Sequence, residues 1–84
     1  MESLTEMDID NLVRMANRIA DFFQTMPDHT EAVQGVAEHL RKFWEPRMRR
    51  ALLSHIDAAG TGGDGGGVHP LVREAVSAYR TELA

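Results

Sequence analysis

Cysteine is absent from these 84 residues, so neither a disulfide nor a thiolate metal site can staple the fold. A chain this short buries only about 60% of its unfolded surface or a little more. It is therefore marginal alone, and stabilisation by a partner is open from the start. Long apolar runs are missing too: none approaches the roughly 20 residues needed to cross a bilayer. Residues 1–10 are acidic and lack the basic region of a signal peptide. A soluble, cytoplasmic protein is expected, in keeping with the lack of cysteine, and with no membrane partner. Bases are outnumbered, nine against thirteen acids, and the net charge of −4 argues against broad affinity for nucleic acid.

The charge is unevenly placed. Residues 1–40 hold eight acids against Arg14 and Arg18, whereas residues 41–50 hold five bases against Glu45. The same stretch contains the only Trp, Trp44, beside Phe43 and ahead of Pro46. This corner is the centre of the sequence.

Around it the apolar pattern has a helical period throughout. Thr5 and Asp8 resemble a capping box, opening a helix from about Glu6 to Gln24 with Ile9, Leu12, Val13, Ala16, Ile19, Ala20 and Phe23 inward. Met15 and Phe22 lie to one side of that stripe, either at the edge of the core or against a partner. Asp10, Arg14, Arg18 and Asp21 occupy the opposite side at ion-pair spacing. Pro27 ends this helix and Asp28 caps the next, which carries Ala32, Val33, Val36, Ala37, Leu40 and Phe43 and reaches Trp44.

Glu45-Pro46 makes a sharp turn, because the residue before proline avoids the helical region while proline suits a first helical position. A third helix follows from about Pro46 to Ala59, with Met48, Leu52, His55, Ile56 and Ala59 inward. Pro70 opens a fourth, to about Glu82, with Val72, Ala75, Val76, Tyr79 and Leu83 inward. The expected fold is all-α, one domain over 1–84: a small bundle of about four short helices, with a flexible N-terminus over 1–5 and a flexible glycine-rich loop over 60–68.

Little here carries catalytic chemistry. The glycine loop lacks the preceding strand and the Gly-Lys-Ser/Thr ending of a phosphate cradle. His29, His39, His55 and His69 include no pair at the spacing of a helical zinc motif, and read better as caps, loop residues or hydrogen-bonded groups at the core edge. Ser3, Ser54 and Ser77 sit in no nucleophile motif. No catalytic, cofactor or metal residue is assigned, and such a bundle has little volume for a substrate pocket.

The basic corner reads as a contact surface. Arg41 and Lys42 complement the negative end of the second helix, whereas Arg47, Arg49 and Arg50 enter the positive end of the third. Helical angles put Arg50 opposite the inner face and Arg49 on its flank, near Leu53. Arg47 either joins them or folds back on the carbonyls ending the second helix. Phe43 is expected in the core and Trp44 outward as an interface anchor, a role in which Trp and Arg are enriched. The candidate partner-binding set is Phe43, Trp44, Arg47, Met48, Arg49, Arg50 and Leu53, with Met15 and Phe22.

Three blocks carry a family resemblance. One runs from Leu12 to Phe23, one from His39 to Arg49 with Phe43-Trp44-Glu45-Pro46-Arg47-Met48-Arg49 at its heart, and a weaker one from His69 to Ala75. With these the chain resembles the delta subunit of soluble NAD-dependent, molybdenum-containing formate dehydrogenases, over nearly its whole length. Gln is usual in that family where this chain has Arg18, a departure on the exposed face. The resemblance implies a non-catalytic accessory subunit of a complex that oxidises formate to carbon dioxide and passes the electrons to NAD. The alpha subunit would carry a molybdenum bis-pterin guanine dinucleotide and iron–sulfur clusters. Beta and gamma subunits would hold FMN, further clusters and the NAD site. The delta subunit itself would bind no cofactor and would support assembly or stability of the catalytic subunit, its most direct partner, with help in cofactor insertion as an extension of that role. The competing reading from the residues alone is a small helical nucleic-acid-binding module using 41–50. It is opposed by the acids before that stretch and by the lack of further aromatics for stacking. A homodimer burying Met15, Phe22 and Trp44 is a third.

Overall fold

The computed structural model describes residues 8–59 and 65–84. Among them are five helices and no strand: α1 (Ile9–Phe23), α2 (His29–Phe43), α3 (Pro46–Ala59), α4 (Pro70–Ala78) and α5 (Arg80–Leu83). A 3-10 turn, Gly65–Gly67, precedes α4. The expected all-α bundle is present, with one helix more because the last is broken.

Most boundaries have local causes. Asp8, not Thr5, caps α1: its backbone is extended and its carboxylate accepts from the Asn11 N–H at 3.4 Å. Thr5 lies outside the described residues, and α1 begins at Ile9 rather than at Glu6. Asp28 caps α2 as expected, accepting from the N–H groups of Thr30 at 2.9 Å and Glu31 at 3.4 Å. Such a cap contributes about 1 kcal/mol. Pro46 and Pro70 are each the first residue of their helix, where a missing N–H costs nothing. The segment expected as one helix from Pro70 to Glu82 is interrupted at Tyr79 (φ −120°, ψ 30°), after which α5 makes one further turn.

The core follows the helical stripes. α2 lies centrally, packed on α4 and α1, and contributes Ala32, Val33, Val36, Ala37 and Leu40. Leu12, Ala16 and Ala20 come from α1, Leu52 and Leu53 from α3, and Leu71, Val72, Ala75 and Val76 from α4. Leu83 closes the end from α5. Small residues at Ala16, Ala20, Ala32, Ala37 and Ala75 let the helices approach closely. No polar side chain is fully buried among the described residues. Of the expected flexible loop, 60–64 lies outside the described residues, and its last three glycines form the 3-10 turn, held from three helices. Asn17 donates to the Gly67 carbonyl (3.0 Å), His55 Nε2 meets the Gly66 carbonyl (2.9 Å), and Arg73 Nε donates to Val68 (3.2 Å). Gly66 has φ +73°, and a Cβ there would sit 2.6 Å from His55 Nε2, so the turn requires glycine.

Candidate interaction surface

At the corner between α2 and α3, the expected roles of two adjacent aromatics are exchanged. Trp44 is 5% exposed and belongs to the core, whereas Phe43 is 72% exposed. The cause is local. Phe43 is the last residue of α2, and Trp44 has left the helix with an extended backbone (φ −93°, ψ 138°). The 100° step between helical neighbours ends there, and the extended residue turns its indole back under the bundle. Trp44 is therefore a packing residue of this chain and not an outward anchor.

Arg49 corrects a second expectation. It does not project outward. Its Nε donates to the Leu83 carbonyl at 3.1 Å, and its Nη1 donates to the carbonyls of Arg41 (3.0 Å) and Trp44 (2.9 Å). One planar guanidinium thus ties the end of α2, the corner and the end of α5 together, a task suited to a rigid fork of donors. Arg49 makes a fold-back of the kind considered for Arg47. Leu53, expected beside it on the flank, is buried at 5% exposure, and Met48 is half-buried. Of the expected corner set, Phe43, Arg47 and Arg50 face solvent.

On α1, Phe22 is 68% exposed and Met15 36%. Phe22 is joined to Phe43 by a run of rings. Phe22 meets Phe23 edge-on at 5.1 Å, Phe23 meets His39 at 6.5 Å, and His39 meets Phe43 at 4.8 Å. A shallow groove of about 170 Å³ opens along this run, lined by Phe23, Gly35, Glu38, His39, Lys42 and Phe43. Gly35 shapes it: a Cβ there would lie 2.5 Å from the Phe23 ring, so glycine is what lets the ring settle on the α2 backbone. His39 and Phe23 were not singled out as surface residues, although the four-residue spacing of His39 and Phe43 is a legible signal of contact.

The remaining histidines are hydrogen-bonded within the chain. His69 Nδ1 accepts from the Leu71 N–H at 3.0 Å, capping α4, while its Nε2 meets Gln24 Oε1 at 3.1 Å. Asn17 Oδ1 accepts from the His69 N–H at 2.8 Å. His29 pairs with Glu74 at 2.8 Å across exposed surface. Beside these lies the larger cleft of about 340 Å³, floored by Ala32 and Leu71 and rimmed by Gln24, His29, His69 and Glu74. No group of three potential metal ligands comes together among the described residues. No helix there is long and apolar enough to cross a membrane. Asp10, Arg14 and Arg18 form no ion pair with one another; Asp21 faces Gln24 and, at 3.9 Å, His69. Asp57 and Arg80 form an ion pair. Their exposed side chains are hydrogen-bonded across α3 and α5, lowering the Asp57 pKa and raising that of Arg80.

Fold and surface together define a small all-helical protein in which most of the polar groups with tertiary contacts bond to backbone or to one another, while two phenylalanines remain in water. Over residues 11–76 the sequence matches the family model described as the NADH-dependent formate dehydrogenase delta subunit FdsD, and the chain belongs to that family. The matched stretch contains all three blocks of the resemblance, together with α2, α3 and most of α1 and α4. No curated protein and no solved structure matches the chain.

Proposed function

We propose that this chain is a non-catalytic accessory subunit of an NAD-dependent formate dehydrogenase, docking on the molybdenum-containing catalytic subunit and supporting its assembly or stability. The observation that carries this reading is how the matched stretch spends its side chains. Asn17, Arg49, His55, His69 and Arg73 are engaged with the backbone of their own chain. Phe22 and Phe43, by contrast, stay in solvent at 68% and 72% exposure. Large aromatics held open on a small fold are the composition of a protein–protein contact. A short chain without cysteine also gains from burying them.

Expressing the complex with and without this chain tests the proposal. Omission should lower the yield of intact, molybdenum-loaded catalytic subunit while formate oxidation per bound molybdenum stays unchanged. A fall in turnover per molybdenum, with assembly and loading intact, would overturn the accessory role.

A further inference from the structure

Resting on that reading, we infer that the C-terminal end of α2 is a two-part docking surface for a protein segment of the same complex: an aliphatic anchor followed by acidic side chains. The first part is the groove between Phe23 and Phe43. At about 170 Å³ it has room for roughly one aliphatic side chain, and it is too small for a nucleobase stack or a cofactor. Its walls are preformed, because the Phe23 ring rests against the bare backbone of Gly35 and the Phe43 ring against His39.

The second part follows from Arg49. Positive side chains in the last turn of a helix ordinarily answer its terminal carbonyls. Here Arg49 already donates to Arg41 and Trp44 from within the same corner. Arg41 and Lys42 are left exposed, as is Arg50 on α3, and none of the three forms an ion pair among the described residues. On a chain of net charge −4, this local cationic excess selects an anionic counterpart. Glu38 gives the contact a direction. It lines the groove one helical turn before Lys42, so an acidic segment is repelled at that end and drawn toward the corner.

Formate dehydrogenase expressed without this chain, titrated with the purified full chain and its variants, separates the possibilities. F43A should bind about thirtyfold more weakly, the loss typical of a hot-spot aromatic. K42E should associate several-fold more slowly at low salt, with the difference closing near 1 M salt, where screening reaches about 3 Å. R14E changes charge equally on another face and should bind as wild type does. Thermal unfolding of each variant keeps folding out of the comparison. If the wild-type chain does not bind the complex, the accessory reading itself falls, and this inference with it. If wild type binds and both F43A and K42E bind equally well, only the present inference is overturned. Sedimentation of the wild-type chain as a dimer that F43A dissolves, or co-elution of nucleic acid lost in K42E, would replace the protein segment with another occupant.

Discussion

Replacing Arg49 with alanine removes three hydrogen bonds to carbonyls from one partly buried guanidinium. Bonds to charged groups contribute about 1.5–3 kcal/mol each when shielded. The Arg41 carbonyl is exposed and can rebind water, so its bond adds little. The bonds to Trp44 and Leu83 are only part-buried, so each contributes less than the shielded figure, about 1–2 kcal/mol, and together they set an expected loss of about 2–4 kcal/mol. A chain of 84 residues has a total stability of roughly 4–13 kcal/mol at 0.05–0.15 kcal/mol per residue. The substitution therefore removes a large fraction of it. With a urea slope of about 1 kcal/mol/M, the midpoint should fall by roughly 2–4 M at unchanged slope. Arg49→Lys distinguishes geometry from charge. A single ammonium cannot span carbonyls from three places, so lysine should recover less than half of the loss. Hydrogen exchange gives a local readout, with the amides of α5 losing protection before those of α2. A midpoint within about 0.5 M of wild type for Arg49→Ala, or full recovery by lysine, would refute the clamp.

Trp44→Ala should cost about 3–5 kcal/mol, as for other buried aromatics, whereas Phe43→Ala should stay within about 0.5 kcal/mol because its ring is largely in water; urea denaturation of both decides. Gly35→Ala should lose about 1 kcal/mol net, since overpacking against Phe23 costs about 1–3 kcal/mol and alanine returns up to about 1 kcal/mol of helix propensity. In a Phe23→Ala background the same change should instead stabilise, and a double-mutant cycle measures that reversal. Arg80 holds the Asp57 carboxyl below its ordinary value of 3.8. A lowered folded-state pKa stabilises above the unfolded value, and that stabilisation is lost as pH falls through the folded one. Asp57→Asn should therefore lower stability by a constant amount on the neutral-to-alkaline side and flatten its loss below about pH 5, as read from unfolding midpoints between pH 7 and 2.5.

Much of the bundle was legible because its punctuation is local. Pro27, Pro46 and Pro70 and the cap at Asp28 mark breaks that propensity alone can find, and the apolar stripes of α1 and α2 name most of the core. The corner was not legible in the same way. Periodicity places Phe43 inward, seven residues after Val36, but the helix ends at that residue and the neighbouring indole takes the place in the core. Where a helix stops within one residue, an angular rule misassigns both sides of the boundary. Arg49 escaped for a different reason: a helical angle locates its Cα, but the side chain is long enough to reach carbonyls elsewhere. Tyr79 breaks the last helix with neither glycine nor proline to announce it. The bonds from Asn17 to Gly67 and His69 join positions 50 and 52 residues apart, which no local pattern encodes.

The fastening of the turn before α4 makes neighbouring stretches of the chain very unequal in their tolerance of length. His55 and Asn17 fix the backbone at Gly66, Gly67 and His69, so the bundle's closure does not depend on how many residues lead from Ala59 to Gly65. Between Gly66 and Pro70, a single added residue would shift the register of bonds contributed by three different helices. Natural length variants, or a reporter peptide, belong in the first stretch, and the second should keep its length.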